Sequence, residues 1–173
     1  MVPRFQFLHA AELRLDAPFA GVGRLPPALA ARLRDASLRA WDDLVEAAVA
    51  RGVAALLLSG GLCDGLERGV RAQARLRAGL ERLVGHGIAV FVALGGRDPQ
   101  DGLAGLGDWP AGVTVFTPGS AASLALVRDG QQLATVCGTG IAAGESPAAA
   151  ARRLARGERP GPALALLPSA VGR

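Results

Sequence analysis

Four short segments hold the residues of this chain whose types could do chemistry. The first contains His9, Glu12, Arg14 and Asp16, and the second Ser59, Gly60, Gly61, Cys63 and Asp64. The third contains Gly95, Gly96, Arg97 and Asp98, and the fourth Pro168 and Ser169. Carboxylates gathered from separate loops can hold a hard divalent cation. Arginines grip phosphate oxygens, and a Ser or Cys becomes a nucleophile beside a His base. The two histidines are His9 and His86; neither is evidently placed to activate Ser59, Ser169 or Cys63, so His9 reads as structural and His86 as an exposed turn residue. Cys63 and Cys137 lack ligand spacing, which argues against zinc and for buried thiols in a reducing compartment. The glycine pairs Gly60-Gly61 and Gly138/Gly140 read as turns, since neither leads a helix at the spacing of a dinucleotide fingerprint.

Each of the four segments follows an apolar run, and those runs are the elements that must position them. Residues 5–9, 53–58, 88–94, 113–116 and 163–167 read as strands. The continuous apolar character of 53–58 and 88–94 is that of strands covered on both faces. Pro26-Pro27 opens one long helix to about residue 50, with an expected inward face of Leu29, Leu33, Ala36, Ala40, Leu44 and Ala47. A second helix is expected over 66–84, turning Leu76, Leu80 and Leu83 inward. Asp129-Gly130 between apolar runs signals a hairpin joining 123–128 to 132–137. Ser146-Pro147 caps a short helix to about residue 156. The order β-α-β-α-β, followed by further strands, implies a parallel sheet with covering helices in one domain spanning 1–173. Ligands of such sheets sit at the carboxyl ends of the strands, where the four segments fall.

Composition narrows the class further. Of 173 residues, 50% are hydrophobic, ample for a packed core, and 4% are aromatic. The net charge is +4, every basic residue is Arg, and Lys and Asn are absent. The sequence pI is about 10.8, which permits weak attraction to polyanions. The arginines of the helical stretches (Arg32, Arg34, Arg39, Arg68, Arg71, Arg75, Arg77, Arg82) are dispersed, as on solvated helix faces rather than in a nucleic-acid footprint. Pro and Gly interrupt the apolar runs short of a membrane span, and the first residues lack an apolar signal core. A cytoplasmic protein without membrane contact is expected.

The four segments in order resemble the calcineurin-like metallophosphoesterases of the SbcD type, which are DNA-repair exonucleases. The first loop of that family runs His-Thr-Ala-Asp-Leu-His-Leu-Asp-Ser-Pro-Phe; His9, Leu13, Leu15, Asp16, Pro18 and Phe19 stand at the matching places. Its second loop runs Gly-Asp-Leu-Phe-Asp, its third Gly-Asn-His-Asp-Pro and its fourth Leu-Leu-His. The resemblance covers nearly the whole chain. It implies an α/β architecture, a layered β-sandwich flanked by helices. The Gly-His-x-His loop that ends the family pattern is missing, so a fold truncated at the C-terminus is expected.

Family members hold two Mn or Mg ions with an Asp and a His from the first loop, an Asp from the second, an Asn from the third and a His from the fourth. Two such ions activate water and clamp phosphate oxygens. The matching positions here are Glu12, Arg14, Gly61, Gly96 and Pro168, with Arg97 at the position of the catalytic His. Glycine and proline offer no ligating side chain, and guanidinium stays protonated and repels cations. The expectation is therefore no metal cofactor and no catalytic residue of the family type. The pocket acids Glu12, Asp16, Asp64 and Asp98 would be neutralised by Arg14 and Arg97, Asp98 alternatively being a turn residue that accepts backbone amides. The leading reading is a non-catalytic scaffold or interaction module. The alternatives are an active phosphodiesterase or exonuclease with an atypical metal site, including one Mg²⁺ on Glu12, Asp64 and Asp98, or metal-free binding of phosphate or nucleic acid through Arg14 and Arg97. The resemblance implies as partners an SbcC-like ATPase or another nuclease subunit, weak nucleic-acid binding, and a homodimer.

Overall fold

The computed structural model describes residues 4–15, 17, 23, 25–63, 69–98, 108–158 and 160–168. Four parallel strands, β1 (Phe7–Ala10), β2 (Ala55–Ser59), β3 (Ala89–Ala93) and β4 (Val113–Phe116), form one sheet in the order β1-β2-β3-β4. Between them come helices α1 (Pro27–Arg34) and α2 (Ala36–Arg51), then α3 (Val70–Gly85). A second sheet follows, in the order β5-β6-β7, from β5 (Ala121–Arg128), β6 (Gln131–Thr139) and β7 (Ala163–Leu166), with short helix α4 (Pro147–Ala151) before β7. This is the layered β-sandwich with flanking helices that the sequence implies.

Strand periodicity sorts the side chains into two cores. Leu56, Leu58, Val90 and Val92 face one way and pack with Leu38, Trp41, Val45, Leu76, Leu80 and Leu83 of α2 and α3. Their neighbours Ala55, Leu57, Phe91 and Ala93 face the other way and pack with Leu126, Val136 and Leu166 of the second sheet. Because successive strand side chains alternate faces, a strand between two apolar layers must be apolar throughout. That is why 53–58 reads as an unbroken run, and β2 is buried along its whole length.

The hairpin forms as expected: Asp129 and Gly130 both have positive φ, 52° and 74°, joining β5 to β6 in an antiparallel pair. Positive φ at both central residues is what a right-twisted two-residue turn needs. Ser146 caps α4 by accepting the Ala149 amide, although the helix ends at Ala151 rather than near 156.

Two expectations about the long helix fail. It is two helices, interrupted at Asp35, whose side chain accepts a hydrogen bond from Arg71 of α3 at 2.8 Å. Asp favours helix ends over interiors because it competes for backbone groups, and here it also ties the break to the neighbouring helix. The inward face is centred on Leu38, Trp41, Val45 and Ala48; of the expected row, Leu44 packs at its margin and Ala40 is exposed. Leu29 is exposed. Trp41 decides the face: it is the largest side chain in the core, fully buried, and its indole N–H donates to the Arg75 carbonyl of α3 at 3.0 Å.

The indole lies so close to α3 that a Cβ on Gly79 would stand 2.4 Å from Trp41 Nε1. Gly→Ala inside a helix ordinarily gains about 1 kcal/mol. Here overpacking reverses the sign, and Gly79→Ala is expected to cost about 2 kcal/mol, read as a lower urea midpoint at unchanged m-value.

Candidate functional site

The first sheet is parallel, so the loops leaving β1, β2 and β3 emerge at one edge. They are joined there by the segment after β6 and by Pro168 after β7, around a cavity of about 330 Å³. Its lining includes Glu12, Ser59, Gly61, Gly96, Arg97 and Pro168. The structure thus brings at least one residue from each of the four chemistry-bearing segments to a common place. Asp16, Asp64 and Ser169 lie outside the described residues, as do Pro18 and Phe19.

The first loop lies along the second. Glu12 N–H donates to Gly60 O at 3.0 Å, Arg14 N–H to Gly61 O at 2.8 Å and Leu15 N–H to Leu62 O at 2.9 Å. Glu12 and Arg14 take left-handed backbone, φ 52° and 45°, a conformation that costs a non-glycine residue roughly 1–2 kcal/mol and that these paired amides hold in place. Both arginines reach the same oxygen: Arg14 Nε is 3.4 Å and Arg97 Nη2 3.6 Å from Glu12 Oε2. All three side chains are about half exposed, so the ion pairs are each worth under about 1 kcal/mol. Two cations share one anion, and the cluster carries a net positive charge.

Asp98 takes the second of the two parts expected of it, accepting backbone amides, rather than that of a pocket acid paired with arginine. Its side chain is buried and does not line the cavity. Oδ2 accepts the amides of Gly61 at 2.9 Å and Gly95 at 2.8 Å, and Oδ1 that of Leu62 at 2.7 Å. Backbone amides, rather than Arg14 or Arg97, compensate this carboxylate, so the second and third loops are stapled together through one side chain. The expectation that the arginines neutralise every acid therefore holds, among the described residues, for Glu12 alone. A single cation on Glu12, Asp64 and Asp98 would have to compete with three amides for the Asp98 oxygens, and Asp64 lies outside the described residues.

The glycines of the site leave no room for larger side chains. A Cβ on Gly61 would lie 2.6 Å from Glu12 Oε1 and 2.9 Å from Glu12 Cα. A Cβ on Gly96 would lie 2.8 Å from Ala143 Cα, which is backbone and cannot swing aside. Pro168 is buried and packs where a Cβ on Gly60 would go, at 2.8 Å.

One contact was not evident from sequence. His9 Nε2 and Ser59 Oγ lie 2.7 Å apart across the parallel pair β1–β2. The only available signal was that each residue sits at or near the end of its strand; His9 is in register with Leu57, two residues before Ser59, and that offset needs the sheet. The two amides that follow Ser59 are already engaged: Gly60 N–H donates to Ala93 O and Gly61 N–H to Asp98. Ser59 and His9 therefore serve as a polar tie between the strands. His86 caps the end of α3 and is exposed, while Cys63 and Cys137 are buried free thiols.

The segment 140–147, which closes the cavity, is braced by an ion pair between Arg153 and Glu145. Glu145 also accepts the Ala142 amide at 3.0 Å, and Arg153 reaches Thr139 Oγ1 and Gly140 O. The Arg153 hydrogen bond, aided by that amide, holds the Glu145 carboxyl below its ordinary range.

The chain is 33% identical over 138 residues, 80% of its length, to the uncharacterized metallophosphoesterase YhaO of Bacillus subtilis. Those residues are 34% of that protein, so the chain spans about a third of the length of the curated relative it matches. No protein-family model matches the chain. Among the described residues, no helix is long and apolar enough to cross a membrane.

Two consequences can be measured. Asp98→Ala strands three amides and is expected to cost about 3 kcal/mol. Asp98→Asn should cost nearly as much, since its NH₂ would face an amide donor; both show as lower urea midpoints. Because the folded Glu145 carboxyl lies below its unfolded value, its contribution is present above about pH 4.5 and is lost as pH falls toward the folded value. The stability gap between the wild type and Glu145→Gln should therefore be widest at neutral pH and close on acidification.

Proposed function

We propose that this chain, taken as part of the calcineurin-like metallophosphoesterase family that its Bacillus relative supports, has kept the frame of a DNA-repair exonuclease domain without its two-metal chemistry. In this reading it acts as a scaffold or interaction module. The observation that carries the reading is the packing at Gly61 and Gly96. Two positions that supply metal ligands in the resembled family have no side chain, and Glu12 and the 142–143 backbone already occupy the space one would need.

The described residues do not fit a pair of divalent cations. Hard cations call for several oxygen or imidazole donors. Among the described residues lining the cavity the one carboxylate is Glu12, shared by two guanidinium groups. Pro168 contributes no donor, and the permanent charges of Arg14 and Arg97 oppose a cation at that place. Among the described residues, no three of His, Cys, Asp or Glu are grouped as a metal site requires.

A second reading, binding of phosphate or nucleic acid without metal, draws on the net positive charge of the Arg14–Glu12–Arg97 cluster and on the exposure of both guanidiniums. One experiment separates the readings. Mn²⁺ is titrated into the protein by calorimetry, and hydrolysis of a phosphodiester dye and of DNA is followed with Mn²⁺ present. The scaffold reading expects no stoichiometric Mn²⁺ binding and no Mn²⁺-dependent hydrolysis, and either one would overturn it. DNA binding that weakens with salt and falls about tenfold or more in Arg97→Ala would establish the second reading instead.

A further inference from the structure

A second cavity lies at the other end of the molecule, where the parallel strands begin. It measures about 870 Å³ and is walled by the segment before β1, the end of α2 and the β5–β6 hairpin. Arg4, Arg51 and Arg128 come from those three places and face the same space, with Asp129 as the one lining acid. Three guanidiniums against one carboxylate leave a local charge of +2.

Six other arginines of the fold are held by carboxylates. Arg71, Arg75, Arg77 and Arg153 pair with Asp35, Asp42, Glu81 and Glu145, while Arg14 and Arg97 pair with Glu12. Among the described residues no carboxylate forms an ion pair with Arg4, Arg51 or Arg128. Arg128 is held by donating to the Gly52 carbonyl at 2.7 Å, which closes the end of α2 and fixes one side of the cavity. Helix C-termini attract cations, which accounts for Arg128 and Arg51 singly; it does not account for Arg4 on a different element facing the same space. The remaining lining is mixed. Phe5 is half-buried and in ring contact with Phe7, Leu133 is buried, and Gln6 and Gln131 offer amides at the rim.

We propose that this cavity binds an organic phosphate of nucleotide size. Arg4 and Arg51 take the phosphate oxygens, Arg128 supports them, and the apolar part of the ligand lies against Phe5 and Leu133. Guanidinium is the natural phosphate donor, a flat ring stacks on an aromatic face, and the volume falls in the range of small-molecule sites. The site is independent of the strand-end cavity and of the function proposed for it.

Calorimetric titration of the 173-residue protein with ADP, AMP, pyrophosphate and a short single-stranded oligonucleotide tests this. The expected result is one ADP per chain, binding at least about tenfold more tightly than pyrophosphate. That binding should weaken about tenfold or more in Arg4→Ala and in Arg51→Glu, weaken in Phe5→Ala, and remain unchanged in Arg97→Ala. Equal affinity for ADP and pyrophosphate, indifferent to Phe5→Ala, would reduce the site to a bare anionic patch and overturn the proposal. So would an absence of ADP binding at about 1 mM, loss of binding in Arg97→Ala rather than in Arg51→Glu, or binding of the oligonucleotide alone. Circular dichroism of each variant establishes that it is folded before its affinity is compared.

Discussion

The buried carboxylate of Asp98 accepts amides from Gly61, Leu62 and Gly95, and the geometry of the strand-end cavity follows from that junction. Two loops that leave neighbouring parallel strands would otherwise leave buried or half-buried amides unpaired, an expensive state for backbone groups. One side chain satisfies three of them at once. With the second loop fixed, the first loop hangs on it through the carbonyls of Gly60 and Gly61. The third loop in turn anchors the closing segment through Leu94 O, which accepts the Ile141 amide at 2.9 Å. The cavity is thus a set of loops held by backbone pairing around one buried anion.

That construction bears on what the cavity can do. Rigid loops meeting at close range leave little space for new side chains, as the contacts at Gly61 and Gly96 show. The charged groups that line the space are Glu12 and Arg97, with Arg14 paired to the same Glu12 oxygen, in an open arrangement exposed to solvent. Exposed ion pairs contribute little to stability, so this cluster is not what holds the fold together. The two apolar cores, one on each face of the parallel sheet, supply that instead.

Much of the architecture was legible in the residues. The continuous apolar runs announced strands covered on both faces, and Asp129-Gly130 announced the hairpin with its positive φ values. Ser146-Pro147 announced the cap of α4. The inward face of α2 was not legible: a helix rich in Ala and Leu offers several rows of similar hydrophobicity. Trp41 selects one row only because Gly79 on α3 admits its indole. The break at Asp35 likewise depends on Arg71, which lies 36 positions further along the chain.

The sequence by itself determined the element order, the strand-end placement of the four segments and the residue types they carry, because periodicity and turn chemistry are local properties. It also determined that Gly61, Gly96 and Pro168 bring no ligating side chain to the site. Only the tertiary structure decided how the remaining charges are partnered. Glu12 goes to two arginines and Asp98 to three amides, and Ser59 meets His9 between neighbouring strands. Only there, too, do Arg4, Arg51 and Arg128 share one cavity. Such pairings depend on distances between segments far apart in the chain, and spacing along a sequence carries no measure of those distances until the sheets and helices have packed.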